Sequence, residues 1–317
     1  MILENEPTKQ DIIEAHERIK NQIHRTPILS SSSINRIAGC ELYFKCENLQ
    51  KVGAFKFRGA SNAVLSLSKE ELQKGVATHS SGNHAAALAL AAKMENVPAY
   101  IVMPRTAPQI KKAAVEGYGA KIIFCEPTLQ VREETLARVV EETGATFIHP
   151  YNNYSVIAGQ ATCAKEILEE LTDPDYIIPP VGGGGLASGT CLSAKYYSTK
   201  TKVIGAEPLG ADDAFRSLRD KTIYPSANPK TICDGLLTSL GEKTSVILSR
   251  ELVEIITASD EVIVAAMRLI WERMKIIVEP SSAVTLAVVL ENKEKFAGKK
   301  IALILSGGNV DLTKLPF

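Results

Sequence analysis

Short runs of apolar, largely β-branched residues alternate with stretches of helical periodicity for most of the chain. The runs fall at 76–79, 99–103, 121–124, 146–149, 176–179, 202–206 and 301–305. Alternation of this kind is the pattern of βαβ units around a parallel sheet. Several runs are apolar almost throughout, as strands covered by helices on both faces should be. The pattern predicts an α/β fold with twisted, mainly parallel sheets flanked by helices.

Between residues 75 and 150 the repeat is nearly complete in itself, with helical patterns at 85–94, 109–117 and 132–143 separating four of the strands. That block reads as a small inserted domain, residues 71–149. The flanking segments, 1–70 plus 150–317, then form one larger domain that is discontinuous in sequence. A length of 317 residues agrees, being too great for one small core and suited to two α/β units. No internal repeat or low-complexity linker marks the joins.

Composition narrows the function. Hydrophobic residues at 45% and charged residues at 23% are ordinary for a globular chain with a sizeable core. Thirty-six basic residues balance thirty-six acidic ones, which removes the broad attraction that a nucleic-acid or anionic-membrane binder needs. Small molecules are the expected partners. Six cysteines, Cys40, Cys46, Cys125, Cys163, Cys191 and Cys233, show no CxxC pair or zinc-like spacing, and the five histidines supply no missing ligands. Reduced thiols of a cytoplasmic protein are expected. The start, Met-Ile-Leu-Glu-Asn-Glu, is charged where a secretory signal needs an apolar stretch, and no run elsewhere is long enough to span a bilayer. No targeting or membrane segment is expected.

Four stretches carry candidate chemistry. In Val181-Gly182-Gly183-Gly184-Gly185-Leu186 an apolar strand runs through glycines into a helix, which leaves backbone N–H groups uncovered at a helix N-terminus and favours an anion such as a phosphate. The plain alternative is a flexible turn. A sharper one is a dinucleotide fold, since Gly182-x-Gly184-x-x-Ala187 fits that fingerprint and Glu207 ends the next strand; against it, the pattern lies mid-chain after another α/β block. No Gly-Lys-Ser/Thr follows the glycines, which excludes a P-loop.

In Gly53-Ala-Phe55-Lys56-Phe57-Arg-Gly-Ala60 a single lysine stands between phenylalanines just before a helix. Burial there would lower its pKa and free a neutral amine able to form a Schiff base. Taken alone, a lysine reaching past two rings to solvent reads equally well. Ser80-Ser81-Gly82-Asn83-His84 lies between a strand and an alanine-rich helix, where hydroxyl, amide and N–H groups can converge on a carboxylate or serve as an ordinary cap. Ser306-Gly-Gly-Asn309 follows the last strand and by itself reads as a turn.

In this order, G-A-F-K-F-R-G-A, S-S-G-N-H, V-G-G-G-G-L and S-G-G-N resemble the fold-type II pyridoxal-phosphate (PLP) enzymes, and among them the serine racemase and serine/threonine dehydratase family. The resemblance runs from His-Arg-Thr-Pro at 24–27 to residues 306–309. It implies that Lys56 carries the cofactor, Phe55 packs on its ring, Asn83 hydrogen-bonds its 3-hydroxyl, Gly182, Gly183, Gly184, Gly185 and Leu186 hold its phosphate, and Ser306 meets its pyridine nitrogen. The implied catalytic pair is Lys56 and Ser81 on opposite faces of the cofactor, which allows racemisation and elimination at one site. Substrate carboxylate binding falls by resemblance to Ser80, Ser81, Gly82, Asn83 and His84, with Arg132 as a second anchor on closure of the small domain.

The resemblance extends to a divalent-cation site (Mg²⁺, or Ca²⁺ or Mn²⁺) made by Glu207, the Ala211 carbonyl and Asp213, where an acidic solvated loop is the alternative. It also implies a homodimer. A nucleotide effector site of some relatives is echoed by Lys51, Tyr118, Arg273 and Lys275, although Ala86 stands where an amide is expected. Tyr151 follows the His-Pro pair where racemase-leaning relatives have Asn, and an aromatic there resembles the dehydratase branch. The rival readings are a mainly dehydrating enzyme acting on serine, threonine or 3-hydroxyaspartate, a β-replacement enzyme of the cysteine-synthase kind, and a PLP-binding protein without turnover.

Overall fold

Ten strands form two separate sheets in the computed structural model, which describes residues 6–107 and 109–317. The charged start of the chain lies mainly outside the described residues. The strands are β1 Ile28–Ser30, β2 Glu41–Cys46, β3 Val76–His79, β4 Ala99–Pro104, β5 Lys121–Cys125, β6 Thr146–Phe147, β7 Tyr176–Ile178, β8 Lys202–Pro208, β9 Glu254–Ala258 and β10 Lys300–Leu305. One sheet has the order β1-β2-β10-β7-β8-β9 and the other β5-β4-β3-β6. All pairings are parallel except that of β1 with β2.

The central position of β10 follows from its sequence. Ile301 to Leu305 are all buried, and the strand pairs β2 on one edge and β7 on the other, so neither face nor edge meets water. The helices Pro280–Glu291 and Asp260–Met274 cover one face of this sheet, joining Val284, Leu286 and Val288 to Leu303 and Leu305 in one apolar cluster. In the smaller sheet, Ala85, Leu88 and Ala92 of the alanine-rich helix Asn83–Met94 pack on Val76 and Ile101.

One buried cluster is ionic. Arg58, fully buried in the helix Lys56–Leu65, gives Nε and one terminal nitrogen to Glu47 at 2.7 and 2.8 Å, and both terminal nitrogens to Glu166 at 2.8 Å. Lys45 Nζ also meets Glu166, at 2.7 Å. Two cations thus balance two anions, and every charged group has a charge-assisted hydrogen bond, the condition under which buried ions are tolerated. The network fixes the helix that begins at Lys56.

The seven expected strands are present. The run at 146–149 is paired only over Thr146–Phe147, because His149 turns its ring back onto the following amides. Strands β1, β2 and β9 are additional. The helices begin earlier than the periodicity alone implies, at Asn83, Leu129 and Gly185, since polar caps and glycines supply first turns that carry no apolar pattern. Among the described residues no helix is long and apolar enough to cross a membrane. All six cysteines are buried and unpaired.

Candidate active site

Parallel strands leave their carboxyl ends on one side of a sheet, and the loops that follow them form the crevice where α/β folds bind ligands. Here β2, β3, β7 and β10 deliver the four candidate stretches to one cavity of about 500 Å³. Lys56, Ser81, Asn83, the glycine run and Ser306 all line it, as do Phe55, Leu186, Ser80, Gly82, His84 and Arg132. Stretches far apart in the chain meet in one pocket.

Lys56 opens its helix rather than preceding it. Phe57 is fully buried and the Phe55 ring lies 5.1 Å from Nζ. The amine donates to the Pro150 carbonyl at 3.0 Å. Burial lowers its pKa to about 8, with Glu279 pulling the other way. The residue keeps some surface on the cavity, but its ammonium sits deep enough to lose hydration, which is the condition for a nucleophilic amine near neutrality.

The glycine run is shaped by its neighbours. Gly184 has φ +86°, and a Cβ on Gly183 would lie 2.4 Å from the Tyr151 ring. No side chain fits at Gly183 and few at Gly184. The helix Gly185–Tyr197 begins immediately after, so its free N–H groups stand open to an anion. Thr244 Oγ1 donates to the Gly183 carbonyl at 2.8 Å and steadies the loop. These features fit a phosphate in the cradle and an aldehyde at Lys56, the two ends of PLP.

Asn83 is held from both sides. Its Nδ2 donates to Glu279 Oε1 and Oε2 at 3.1 and 3.3 Å, and its Oδ1 accepts from Asn309 Nδ2 at 2.9 Å. Ser306 is buried, with its hydroxyl 3.2 Å from that of Ser282. Neither Glu279 nor Ser282 is signalled by the sequence: Glu279-Pro280-Ser-Ser reads as an ordinary helix start. Burial raises the Glu279 carboxyl to about 7, helped by Asp234 and opposed by Asn83 and the Asn309 amide.

Three histidines share the cavity wall. Burial lowers His84 to about 3 and His79 and His149 to about 4, so all three are neutral near pH 7. Arg132, on the helix Leu129–Thr143, has a buried Nε without a hydrogen-bond partner. Lys111 of the helix Gln109–Gly117 bridges the cleft to Asp234 at 2.7 Å.

Two sets of residues stay outside. Glu207, Ala211 and Asp213 do not line the cavity. Glu207, next to last in β8, accepts from the Ala214 and Phe215 amides at 2.9 and 2.8 Å, whereas both oxygens of Asp213 are buried without a donor. Lys51, Tyr118, Arg273 and Lys275 do not line the pocket either; Lys275 Nζ is spent on the Glu272 carbonyl at 2.6 Å.

Known proteins align with this arrangement over nearly its whole length. Residues 19–307 match the family described as pyridoxal-phosphate dependent enzyme. The chain is 53% identical over 311 residues to the β-hydroxyaspartate dehydratase of Paracoccus denitrificans, covering 98% of this chain and 99% of that one. It is 47% identical to the L-threo-3-hydroxyaspartate ammonia-lyase of Saccharomyces cerevisiae, covering 97% and 95%. The crystal structure of serine racemase from Dictyostelium discoideum superposes with a TM-score of 0.93 at 52% identity, covering 96% and 99%. With a family match over most of its length and relatives alike in both sequence and fold, the chain belongs to the pyridoxal-phosphate-dependent enzymes.

Proposed function

We propose that the protein racemises serine and eliminates water from β-hydroxy amino acids of the serine, threonine and 3-hydroxyaspartate kind, releasing keto acid and ammonia. One observation carries the reading: a buried lysine amine, a serine hydroxyl free of other duties and a glycine cradle line a single cavity.

Pyridoxal phosphate, when bound, supplies the electron sink for the charge left at the substrate α-carbon. Lys56 Nζ takes the α-proton. Ser81 Oγ would return a proton from the other side of the α-carbon and invert the centre. Departure of the β-hydroxyl with a proton, as water, in place of that return would give an unsaturated amino acid that water hydrolyses to keto acid and ammonia. Ser80, Gly82, Asn83 and His84 receive the substrate carboxylate at the start of the helix Asn83–Met94, with Arg132 closing over it from the small domain, residues 71–149. Phe55 would back the cofactor ring, and Leu186 with the four glycines would hold the phosphate. Ser306, a neutral hydroxyl, would meet the pyridine nitrogen without holding it protonated, which would suit proton exchange and elimination better than transamination.

A divalent cation at Glu207, the Ala211 carbonyl and Asp213 belongs to the same reading. Hard oxygen ligands suit Mg²⁺, Ca²⁺ or Mn²⁺, and the two orphaned Asp213 oxygens support it. Among the described residues no three acidic, His or Cys side chains converge, and in this reading the Ala211 carbonyl is the third protein ligand. A homodimer in the cytoplasm completes the proposal. Nucleotide control through Lys51, Tyr118, Arg273 and Lys275 is its outermost part.

Tyr151 over the glycine loop favours a second reading, an enzyme that mainly dehydrates. Incubation of the purified protein with each L-amino acid, followed by measurement of keto acid and D-enantiomer, separates the two. Release of both from L-serine supports the first reading, keto acid alone the second, and neither product from any β-hydroxy amino acid overturns both. In Ser81→Ala, L-to-D interconversion should be lost with elimination from L-serine partly kept; equal loss of the two refutes the two-face arrangement.

A further inference from the structure

The turn from β6 into the helix Tyr154–Glu170 presents successive residues to the cavity, and one side chain holds it. His149 Nδ1 lies 2.9 Å from the Asn152 amide nitrogen and 3.3 Å from that of Tyr151. Backbone amides can only donate, so Nδ1 is the accepting nitrogen and the proton of the neutral ring sits on Nε2. This is the imidazole counterpart of an Asx turn.

Closed in this way, the turn aims the Pro150 carbonyl at Lys56 Nζ, 3.0 Å away. Tyr151 follows, edge-on to His149 with ring centroids 4.6 Å apart, and its ring occupies the space that a Cβ on Gly183 would need. Asn152 Oδ1 then accepts from the Lys243 amide at 2.9 Å, which ties the turn to the helix Glu242–Glu251. Thr244 of that helix holds the Gly183 carbonyl.

We propose that His149 is a positioning residue whose Nδ1 lone pair sets the Lys56 amine through Pro150 and the glycine cradle through Tyr151. The proposal rests on the reading of Lys56 as the cofactor lysine and of residues 182–185 as the phosphate cradle. His149 acts only through the neighbours it holds.

Asparagine and glutamine test it. In His149→Asn the side-chain carbonyl reaches the same two amides, whereas in His149→Gln it is displaced by one carbon, with polarity otherwise alike. PLP is titrated into apo-protein and followed by visible absorbance. His149→Asn should bind within about twofold of wild type, and His149→Gln on the order of tenfold more weakly, the scale of one lost hydrogen bond. The pH midpoint of the visible band in the loaded protein should move in the Gln variant alone. Equal affinities and midpoints for the two variants overturn the role.

Where His149→Gln does not fold, His149→Leu is read in the same way. Independently of both, Tyr151→Ala leaves the cap in place and should weaken affinity without moving the midpoint; unchanged affinity overturns the link to the cradle. A wild-type protein that takes up no cofactor, or a Lys56→Ala variant with a wild-type spectrum, would sink the underlying reading instead.

Discussion

Glu279 holds Asn83 with both carboxylate oxygens, at 3.1 and 3.3 Å, so a residue beside the larger sheet grips the first turn of a helix that covers the smaller one. The two lie 196 positions apart. Asn309 closes the circuit, giving its own amide N–H to Glu279 Oε2 at 3.2 Å and Nδ2 to Asn83 Oδ1. The amide of Asn83 is therefore oriented before any ligand arrives.

Burial raises the Glu279 carboxyl from 4.5 to about 7, and a raised carboxylate gives stability that is fully present below its unfolded pKa and lost as pH rises through the folded one. Its contribution to the apo-protein should therefore decline between pH 4.5 and about 7. In Glu279→Gln that part of the profile should flatten, as measured by thermal unfolding across the interval. Gln can still accept from Asn83, so the change isolates charge from hydrogen bonding. An unaltered slope would remove Glu279 from the titration.

Lys56 gives a kinetic prediction. Only the neutral amine attacks an aldehyde, and burial places its pKa at about 8 rather than 10.5. The rate of PLP attachment to apo-protein should rise with pH and level off above about 8. Removing the Glu279 charge should move the midpoint lower, because that charge is what holds the ammonium up. A midpoint near the ordinary lysine value of about 10.4 in stopped-flow absorbance would mean that the amine is solvated.

How much of this was legible in the chain depends on whether a feature is local. Residues 301–305 announce a buried strand because every position is apolar, and Gly183 sits in a run that leaves backbone N–H groups uncovered just ahead of a helix. Strand β2 was hidden by its composition: Lys45 is fully buried but reads as surface until its partner Glu166, 121 positions away, is in place. Strand β1 has three residues, and β9 is an edge strand with three of its five positions half-exposed. Glu279 and His149 escaped for the same reason as Lys45. Their chemistry consists of contacts made by the fold, whereas Lys56 carries a signal in its flanking phenylalanines.

The buried ionic network makes a test of stability. Burial pushes the Glu166 carboxyl up, but the charges and hydrogen bonds of Arg58 and Lys45 outweigh it and hold it at about 2. Such a group gives stability that is present above its unfolded pKa and lost as pH falls through the folded one, here between 4.5 and about 2. Arg58→Met leaves Glu47 without its bidentate partner in a dry site and should cost about 3–5 kcal/mol, the usual result of orphaning a buried charge. Denaturant unfolding measures it. A loss below about 1 kcal/mol would mean that water enters the network.

The cation site predicts a pH-dependent response to metal. Burial raises Glu207 to about 8 and Asp213 to about 6, and the stability tied to those protons is lost as pH rises through each value. A divalent cation needs both carboxylates ionised, so it competes with the protons and gains affinity as they leave. Thermal unfolding with and without Mg²⁺ should show a small increment at about pH 6 and a larger one at about pH 8, reaching about 2.7 kcal/mol when the free ion stands at about a hundred times its Kd. In Asp213→Asn the carboxylate charge is gone, and the increment should vanish at both pH values while the metal-free protein becomes less sensitive to pH. An increment that survives in Asp213→Asn, or that shrinks as the pH is raised, would place the cation elsewhere.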